Sequence, residues 1–367
     1  MSSILAQAQP LKIGDIIANL PIIQGGMGVG ISLSGLASAV ASEGGIGVIA
    51  TPAIGMNEPD FFKNFLEANV RALRKEIRKA RELSQGILGV NIMVALTNFA
   101  DLVRTSIEEG IDVIFSGAGL PLNLPEFLQN TAKTKLVPIV SSGRAIDIII
   151  RRWSERYKYL PDAVVVEGPL AGGHLGFKEQ MISNSEYSLE KLVPEVILAI
   201  KPYEKKYGRP IPVIAAGGIY TGEDIYRFFQ LGASGVQMAT RFVTTHECDA
   251  NIRFKEAYIN AKENDITIIK SPVGMPGRAI RNKFLDDVSA GKKKPFRCFF
   301  HCLKTCELEK SPYCISYALI SAKKGNLNHG FAFCGSNAWK AEKIISVKET
   351  FETLKEEYRN ASSGEDL

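Results

Sequence analysis

The chain has 367 residues, enough to bury a large core and to hold one large α/β domain with an added module. Its 46% hydrophobic and 23% charged residues are those of an ordinary soluble globular protein. The net charge of +5 is mild, and the one dense basic run, Lys292-Lys293-Lys294 with Arg297, has no interleaved aromatics, so a nucleic-acid partner is not expected.

Short apolar, β-branched runs recur along the first two thirds of the chain. They predict strands at Ile22–Gln24, Ile46–Ala50, Leu88–Met93, Val113–Ser116, Leu136–Val140, Ala163–Glu167, Val213–Ala215 and Gly235–Met238. Amphipathic stretches between them predict helices at Ser34–Ser42, Asp60–Leu83, Ala100–Glu109, Leu124–Lys133, Ala145–Arg156, Leu189–Lys201 and Gly222–Leu231. Ser32 or Ser34 would cap the first. Continuous apolar strands alternating with helices call for a parallel sheet covered by helices, and eight such units predict a closed (β/α)8 TIM barrel, with an open doubly wound sheet as the alternative. After the eighth strand the rhythm stops. Residues 246–345 read as a helical, cysteine-bearing lid inserted before a last amphipathic helix at Ser346–Arg359, so the barrel would comprise 1–245 and 346–367.

The segment Val164 to Gly176 (VVVEGPLAGGHLG) leaves a strand and opens into a glycine loop carrying one of only four histidines. Glycines let backbone approach a ligand, and imidazole is suited to proton transfer near neutral pH. A turn histidine capping a helix is the plainer alternative. Barrel active sites lie at the C-terminal strand ends, and the loops after strands seven and eight often bind phosphate. Ala215-Ala216-Gly217-Gly218-Ile219, followed by a helix start at Thr221-Gly222, and Gln237-Met238-Ala239-Thr240 stand at those two positions, offering backbone N–H groups and a helix N-terminus to an anion. At the first strand end, Gln24-Gly25-Gly26-Met27-Gly28 would let a flat ring lie across the barrel mouth with Met27 against it.

These segments (PIIQGGMG at 21–28, ASEGGIGVIA at 41–50, GVNI at 89–92, EGPLAGGHLGF at 167–177, IPVIAAGGI at 211–219, LGASGVQMATRF at 231–242 and GRAIRNKF at 277–284) resemble the nitronate monooxygenase (2-nitropropane dioxygenase) family and its relatives, the flavin-dependent enoyl-[acyl carrier protein] reductases. The resemblance implies one FMN, not covalently bound. Gly25, Gly26 and Met27 would line its ring, Asn91 would contact it, and Gly173, Gly217 and Gly218 would approach the ribityl chain and phosphate. Gln237, Met238, Ala239 and Thr240 would complete the phosphate cradle, and His174 would be the catalytic imidazole. His174 would abstract the α-proton of a neutral nitroalkane, or hold a nitronate oxygen, with a pKa suited to the operating pH.

The expected reaction is conversion of alkyl nitronates and oxygen to a carbonyl compound and nitrite. NAD(P)H-dependent reduction of an enoyl thioester is the alternative, and a non-catalytic flavin-binding module a third. A small-molecule substrate is the expected partner, and a homodimer is compatible with the chain. The chain departs from the family pattern at Ala239, where glycine is usual, at Gly335-Ser336, where Gly-Gln is usual, over 145–162, which is longer, and over 285–324, with its unusual cysteines.

Residues 1–10 lack a basic stretch followed by an apolar one, and no run of about 18 apolar residues occurs. A cytoplasmic protein without membrane association is therefore expected, and its cysteines are not expected to form a disulfide framework. Cys298, Cys302 and Cys306 are spaced to fall along one helix face, with Cys314 and Cys334 beyond. Such thiols could hold zinc or an iron–sulfur cluster, but the spacing matches no familiar CxxC pattern. Free cysteines, with no metal, are the expected state.

Overall fold

The computed structural model describes residues 9–128, 132–293, 295 and 297–364. A short hairpin comes first, β1 (Leu11–Ile13) and β2 (Ile16–Ala18), turning at Gly14 with a left-handed φ of 61°. The sequence pattern predicts no strands here. The hairpin drives Leu11, Ile13 and Ala18 into the lower end of the barrel as a plug.

Eight parallel strands then close on themselves: β3 (Ile22–Gln24), β4 (Ile46–Ala50), β5 (Ile87–Met93), β6 (Val113–Gly117), β7 (Lys135–Val140), β8 (Val164–Glu167), β10 (Val213–Ala216) and β11 (Gly235–Met238), with β11 pairing back to β3. A short β9 (Gly173–His174) lies outside this ring. The (β/α)8 barrel is thus closed, and the open-sheet alternative is set aside. Alternate residues of each strand face opposite ways. Ile23, Val48, Phe115, Val137, Val165 and Ile214 fill the interior, while Ile22, Ile49, Val90, Val164 and Val213 pack outward under the helices. β3 and β4 share one registered pair, Ile23 with Ile46. The buried Gln24 amide mends that seam, accepting from Val48 N at 3.0 Å and donating to Val48 O at 3.3 Å.

The covering helices are α1 (Ser34–Ser42), α2 (Phe65–Leu83), α3 (Phe99–Glu108), α4 (Gly143–Tyr157), a short α5 (Glu179–Ile182), α6 (Leu189–Tyr207) and α7 (Gly222–Gln230). The helix expected over Leu124–Lys133 is only a 3-10 turn at Leu124–Phe127, and residues 129–131 lie outside the described ones. Neither Ser32 nor Ser34 caps α1. Its exposed N–H groups instead point at the Asp249 carboxylate, which accepts from Leu33 N (2.7 Å), Leu36 N (3.1 Å) and Gly35 N (3.2 Å).

After a one-turn α8 (Thr240–Val243) the chain leaves the barrel, and it returns for α12 (Val347–Ser363). The two ends of the excursion are tied together, His246 N donating to Ile345 O at 2.9 Å and Ile345 N to Thr244 O at 3.1 Å. α12 starts with a Ser346/Glu349 capping box and buries Val347, Phe351, Leu354 and Tyr358 against α7 and α1. The excursion holds α9 (Ile252–Ile259), α10 (Lys283–Ser289) and α11 (Ile315–Lys323). It is not purely helical, however. Strands β12 (Ile266–Lys270) and β13 (Pro276–Ile280) form a hairpin that pairs with β9 of the barrel loop. The β-branched run Ile266-Thr267-Ile268-Ile269 and a turn containing Pro272 and Gly274 account for it.

The cysteine segment also differs from expectation. Residues 298–306 are irregular rather than helical, drawn onto the barrel rim by a bridge between Leu303 and Leu96, by Thr97 N donating to Cys302 O at 3.2 Å, and by Phe300 packing on Phe61 and Phe65. All six cysteines are free thiols, and Cys302, buried, accepts from Ser316 Oγ at 3.1 Å. Among the described residues no three His, Cys, Asp or Glu side chains are grouped to hold a metal ion. Among them, too, no helix is long and apolar enough to cross a membrane.

Candidate functional site

A cavity of about 450 Å³ opens at the C-terminal ends of the barrel strands. Gly25, Gly26, Met27, Asn91, Gly173, His174, Gly217, Gly218, Gln237, Met238, Ala239 and Thr240 all line it, so residues from four strand ends and the glycine loop meet around one space. The cavity is flat-floored because β3 ends in residues without side chains. A Cβ on Gly25 would stand 3.2 Å from Gln237 Cγ, and one on Gly26 would collide with the Asn91 side chain. Gly25 is fixed there by its N–H donating to Met238 O at 2.8 Å, and Met27 N donates to Ser32 Oγ at 2.9 Å.

One end of the cavity is lined by backbone. Gly217 and Gly218 have φ of 95° and 84°, a region that disfavours side chains, and Cβ atoms there would meet Ala171 and Leu170 at about 3 Å. Asn337 Nδ2 pins this turn by donating to Gly218 O at 2.7 Å. Opposite it, Ala239 has a φ of −120°, so the missing family glycine costs no strain, and Thr240 Oγ1 accepts from Gly335 N at 3.0 Å. The helix start at Thr221-Gly222, expected to offer its N–H groups to an anion, does not do so. Asp224 and Thr221 close a capping box, and Gly222 N donates to Glu357 Oε2 at 2.7 Å, so these donors are already spoken for by carboxylates and a hydroxyl.

One buried polar atom of a cavity-lining residue, Gln237 Oε1, has no hydrogen-bond partner among the described residues, and Ser336 Oγ, next in the chain to the lining residue Gly335, has none either. An unmade hydrogen bond in the interior costs roughly 1–3 kcal/mol, and at a cavity wall a ligand or a water can complete it. At Ser336 the chain carries a hydroxyl where the family pattern has a glutamine, and it still presents a polar atom.

His174 is held by the excursion, not by the barrel. It pairs with Gly277 of β13, its Nε2 lies 2.7 Å from Ser271 Oγ, and its ring meets Phe333 edge-on at 5.0 Å. Nδ1 has no partner among the described residues. Burial pushes its pKa down to about 4, so the imidazole is neutral at physiological pH. A base tuned near neutrality, as expected from the sequence, is therefore not what this pocket makes.

The loop before His174 hangs on Arg278. Its buried guanidinium donates to Pro169 O (2.7 Å) and to Ala171 O, with no carboxylate nearby. Gly172 lies so close to the Cys334–Gly335 backbone that a Cβ would come within 2.6 Å of it. Arg278, Ser271, Phe333 and Glu167 also shape the site, and no local sequence signal assigns them to it. GRAIRNKF was visible as a segment, yet nothing in it signalled that its first arginine binds carbonyls more than 100 residues away.

Comparison with known proteins bears on the whole chain. A family model described as nitronate monooxygenase matches residues 10–357. A probable nitronate monooxygenase of Staphylococcus aureus (strain Newman) is 28% identical over 295 residues, 73% of this chain and 77% of that protein. Among solved structures, FabK from Thermotoga maritima superposes with a TM-score of 0.72 at 28% identity, covering 95% of both chains. A nitroalkane oxidase from Streptomyces ansochromogenes gives 0.71 at 20% identity over 99% of this chain and 100% of the other, a likeness of fold.

Proposed function

The chain belongs to the nitronate monooxygenase family, and from that premise we propose that it is an FMN-dependent oxidoreductase acting on alkyl nitronates with dioxygen. The observation that carries the cofactor is the glycine-lined end of the first barrel strand, Gly25 and Gly26, beside an orphaned buried acceptor, Gln237 Oε1. Gly25, Gly26, Met27 and Asn91 would hold the ring. Gly173, Gly217, Gly218, Gln237, Met238, Ala239 and Thr240 would hold the ribityl chain and phosphate, the latter by backbone N–H groups. FMN bound there supplies an electron acceptor for the nitronate and a route to oxygen.

His174 is the proposed catalytic residue. Neutral, with Nε2 engaged by Ser271, it can offer Nδ1 to a substrate oxygen. A carbon acid whose pKa lies well above 4 would not pass its proton efficiently to such an imidazole. The substrate is therefore the preformed nitronate rather than the neutral nitroalkane. Phe254, Tyr258, Met275, Leu319 and Phe333 wall the cavity and keep water from the reacting carbon. Residues 246–345 act as an inserted module that closes the barrel mouth.

Reduction of an enoyl thioester by NAD(P)H is the second reading, favoured by the FabK likeness over 95% of both chains. Nitrite release and oxygen uptake with propyl-2-nitronate, set against enoyl-thioester-dependent NADH oxidation, separates them. The first should be fast and independent of NADH. Turnover of the thioester with no nitrite from the nitronate would overturn the proposal.

A further inference from the structure

Ten or more inward side chains of the barrel are apolar, and then the lining changes character in one step. At the first inward positions above that core stand Asn91, Glu167 and Gln237, from β5, β8 and β11. Asn91 and Gln237 carry amides. Among the described residues Glu167 is the only Asp or Glu lining the cavity, and none of them donates a hydrogen bond to it.

Its surroundings offer no charge to answer a carboxylate. β7 presents Ile139 and Ser141, β10 presents Ala216, and the glycine loop presents His174. No lysine or arginine lines the cavity among the described residues. The imidazole is neutral at physiological pH, and the Arg278 guanidinium is committed to Pro169 O and Ala171 O. A half-buried carboxylate in an apolar cavity, without a cation or donors, is costly, and neutralisation is the usual escape. Desolvation pushes the Glu167 pKa up to about 7, in the same direction as the geometry. A carboxylic acid kept neutral in an apolar site becomes a strong hydrogen-bond donor.

We propose that Glu167 sits in the floor of the flavin site as the neutral acid and donates a hydrogen bond to an acceptor on the ring edge of bound FMN, coupling cofactor affinity to pH. This rests on the FMN reading above and goes beyond it by giving the floor a titrating group. A ligand that accepts from the acid binds the protonated protein better, so binding takes up a proton once the free protein has ionised. Affinity then falls as pH rises above about 7, approaching tenfold per pH unit until the complex itself ionises.

The test is the dissociation constant of apoprotein for FMN, and for riboflavin, which has no phosphate to titrate, from pH 5.5 to 9 by flavin fluorescence. Wild type should weaken toward each higher pH with both ligands. Glu167→Gln, which keeps the shape and can donate through its amide, should bind comparably at pH 6 and hold that affinity to pH 9. Identical pH profiles in the two proteins, or an affinity that rises with pH in wild type, would overturn the role of Glu167 while leaving FMN binding intact. Failure of wild type to take up FMN at any pH would overturn the FMN reading and this inference together.

Discussion

The barrel and the excursion that follows β11 build the same cavity by different means. The barrel contributes strand ends, where a regular alternation of inward and outward residues ends in glycines and three polar side chains. What it presents is a floor, rigid because everything beneath it is packed. The excursion contributes a hairpin, β12–β13, that adds itself to two residues of a barrel loop, and through it the one imidazole of the site is fixed. The floor belongs to local pattern and the imidazole's placement to long-range contact. Substitutions in the excursion should therefore disturb chemistry at His174 while leaving the barrel folded, and substitutions at strand ends should disturb cofactor binding.

Arg278 tests the first half hardest. Arg278→Ala removes the donors to Pro169 O and Ala171 O and leaves a hole beneath the glycine loop. Two charge-assisted hydrogen bonds suggest a loss on the order of 3 kcal/mol. Thermal denaturation should show it, with FMN retention falling as Gly173 loses its seat. Wild-type stability and flavin content in the variant would mean that the loop is held by other contacts.

A second effect, nearly as large, comes from the two ionisable groups that face the cavity from the two regions. His174 has its folded pKa depressed to about 4, below its unfolded value, so the unfolded chain binds the extra proton and stability is lost as pH falls from about 6.5 to 4. Glu167 has its folded pKa raised to about 7, so the folded protein binds the extra proton and stability is lost as pH rises from about 4.5 to 7. Each contribution amounts to up to about 3 kcal/mol, and over this window they oppose each other. Urea denaturation of the apoprotein should thus change little between pH 4.5 and 6.5 on account of this pair. His174→Gln should expose the falling slope with rising pH, and Glu167→Gln the rising one. Parallel slopes in both variants would show that neither group carries the assigned shift.

The third prediction concerns turnover. His174→Ala removes a hydrogen bond to an anionic substrate, worth roughly 1.5–3 kcal/mol, so kcat/KM for nitronate should drop about 10- to 10²-fold with FMN still bound. Neutral nitroalkane, already a poor substrate for an imidazole of low basicity, should show no larger loss.

How legible the two regions were from sequence follows from the range of their interactions. The eight barrel strands announce themselves through β-branched runs, and the glycine turns at 25–26 and 217–218 through composition alone. The β12–β13 hairpin had a comparable signal in Ile266–Ile269, masked by the helical character of what surrounds it. The N-terminal hairpin was hidden by strands of three residues each. Nothing local could reveal that Asp249 caps α1 from 213–216 residues away, or that the cysteine segment gives up its helical spacing to dock on Leu96 and Phe61. Glu167 was in plain view at the end of its strand. Its importance depends on what is absent around it, and that becomes visible only once the strands are closed.

The smallest predicted effect is also the one that most sharpens the division of labour. Ser271 lies in the hairpin turn, 97 residues from His174, and its Oγ both meets His174 Nε2 at 2.7 Å and accepts from Val273 N at 3.3 Å. With that N–H pointing at it, the hydroxyl is free to direct its own proton toward Nε2, which favours the tautomer protonated on Nδ1 and makes Nδ1 a donor to a nitronate oxygen. Ser271 acts through His174 and is a positioning residue. Ser271→Ala should cost about 1 kcal/mol, near fivefold in kcat/KM, and should release the imidazole to either tautomer. A merely structural loss would leave the ring's protonation state alone, so the distinguishing readout is the ¹⁵N shift pattern of His174 in labelled protein. The wild type should show a protonated Nδ1 and an unprotonated Nε2, the variant a mixture, and Ser271→Thr should restore the single tautomer. A variant that keeps the wild-type pattern would leave the hairpin with the task of covering His174, and no part in orienting it.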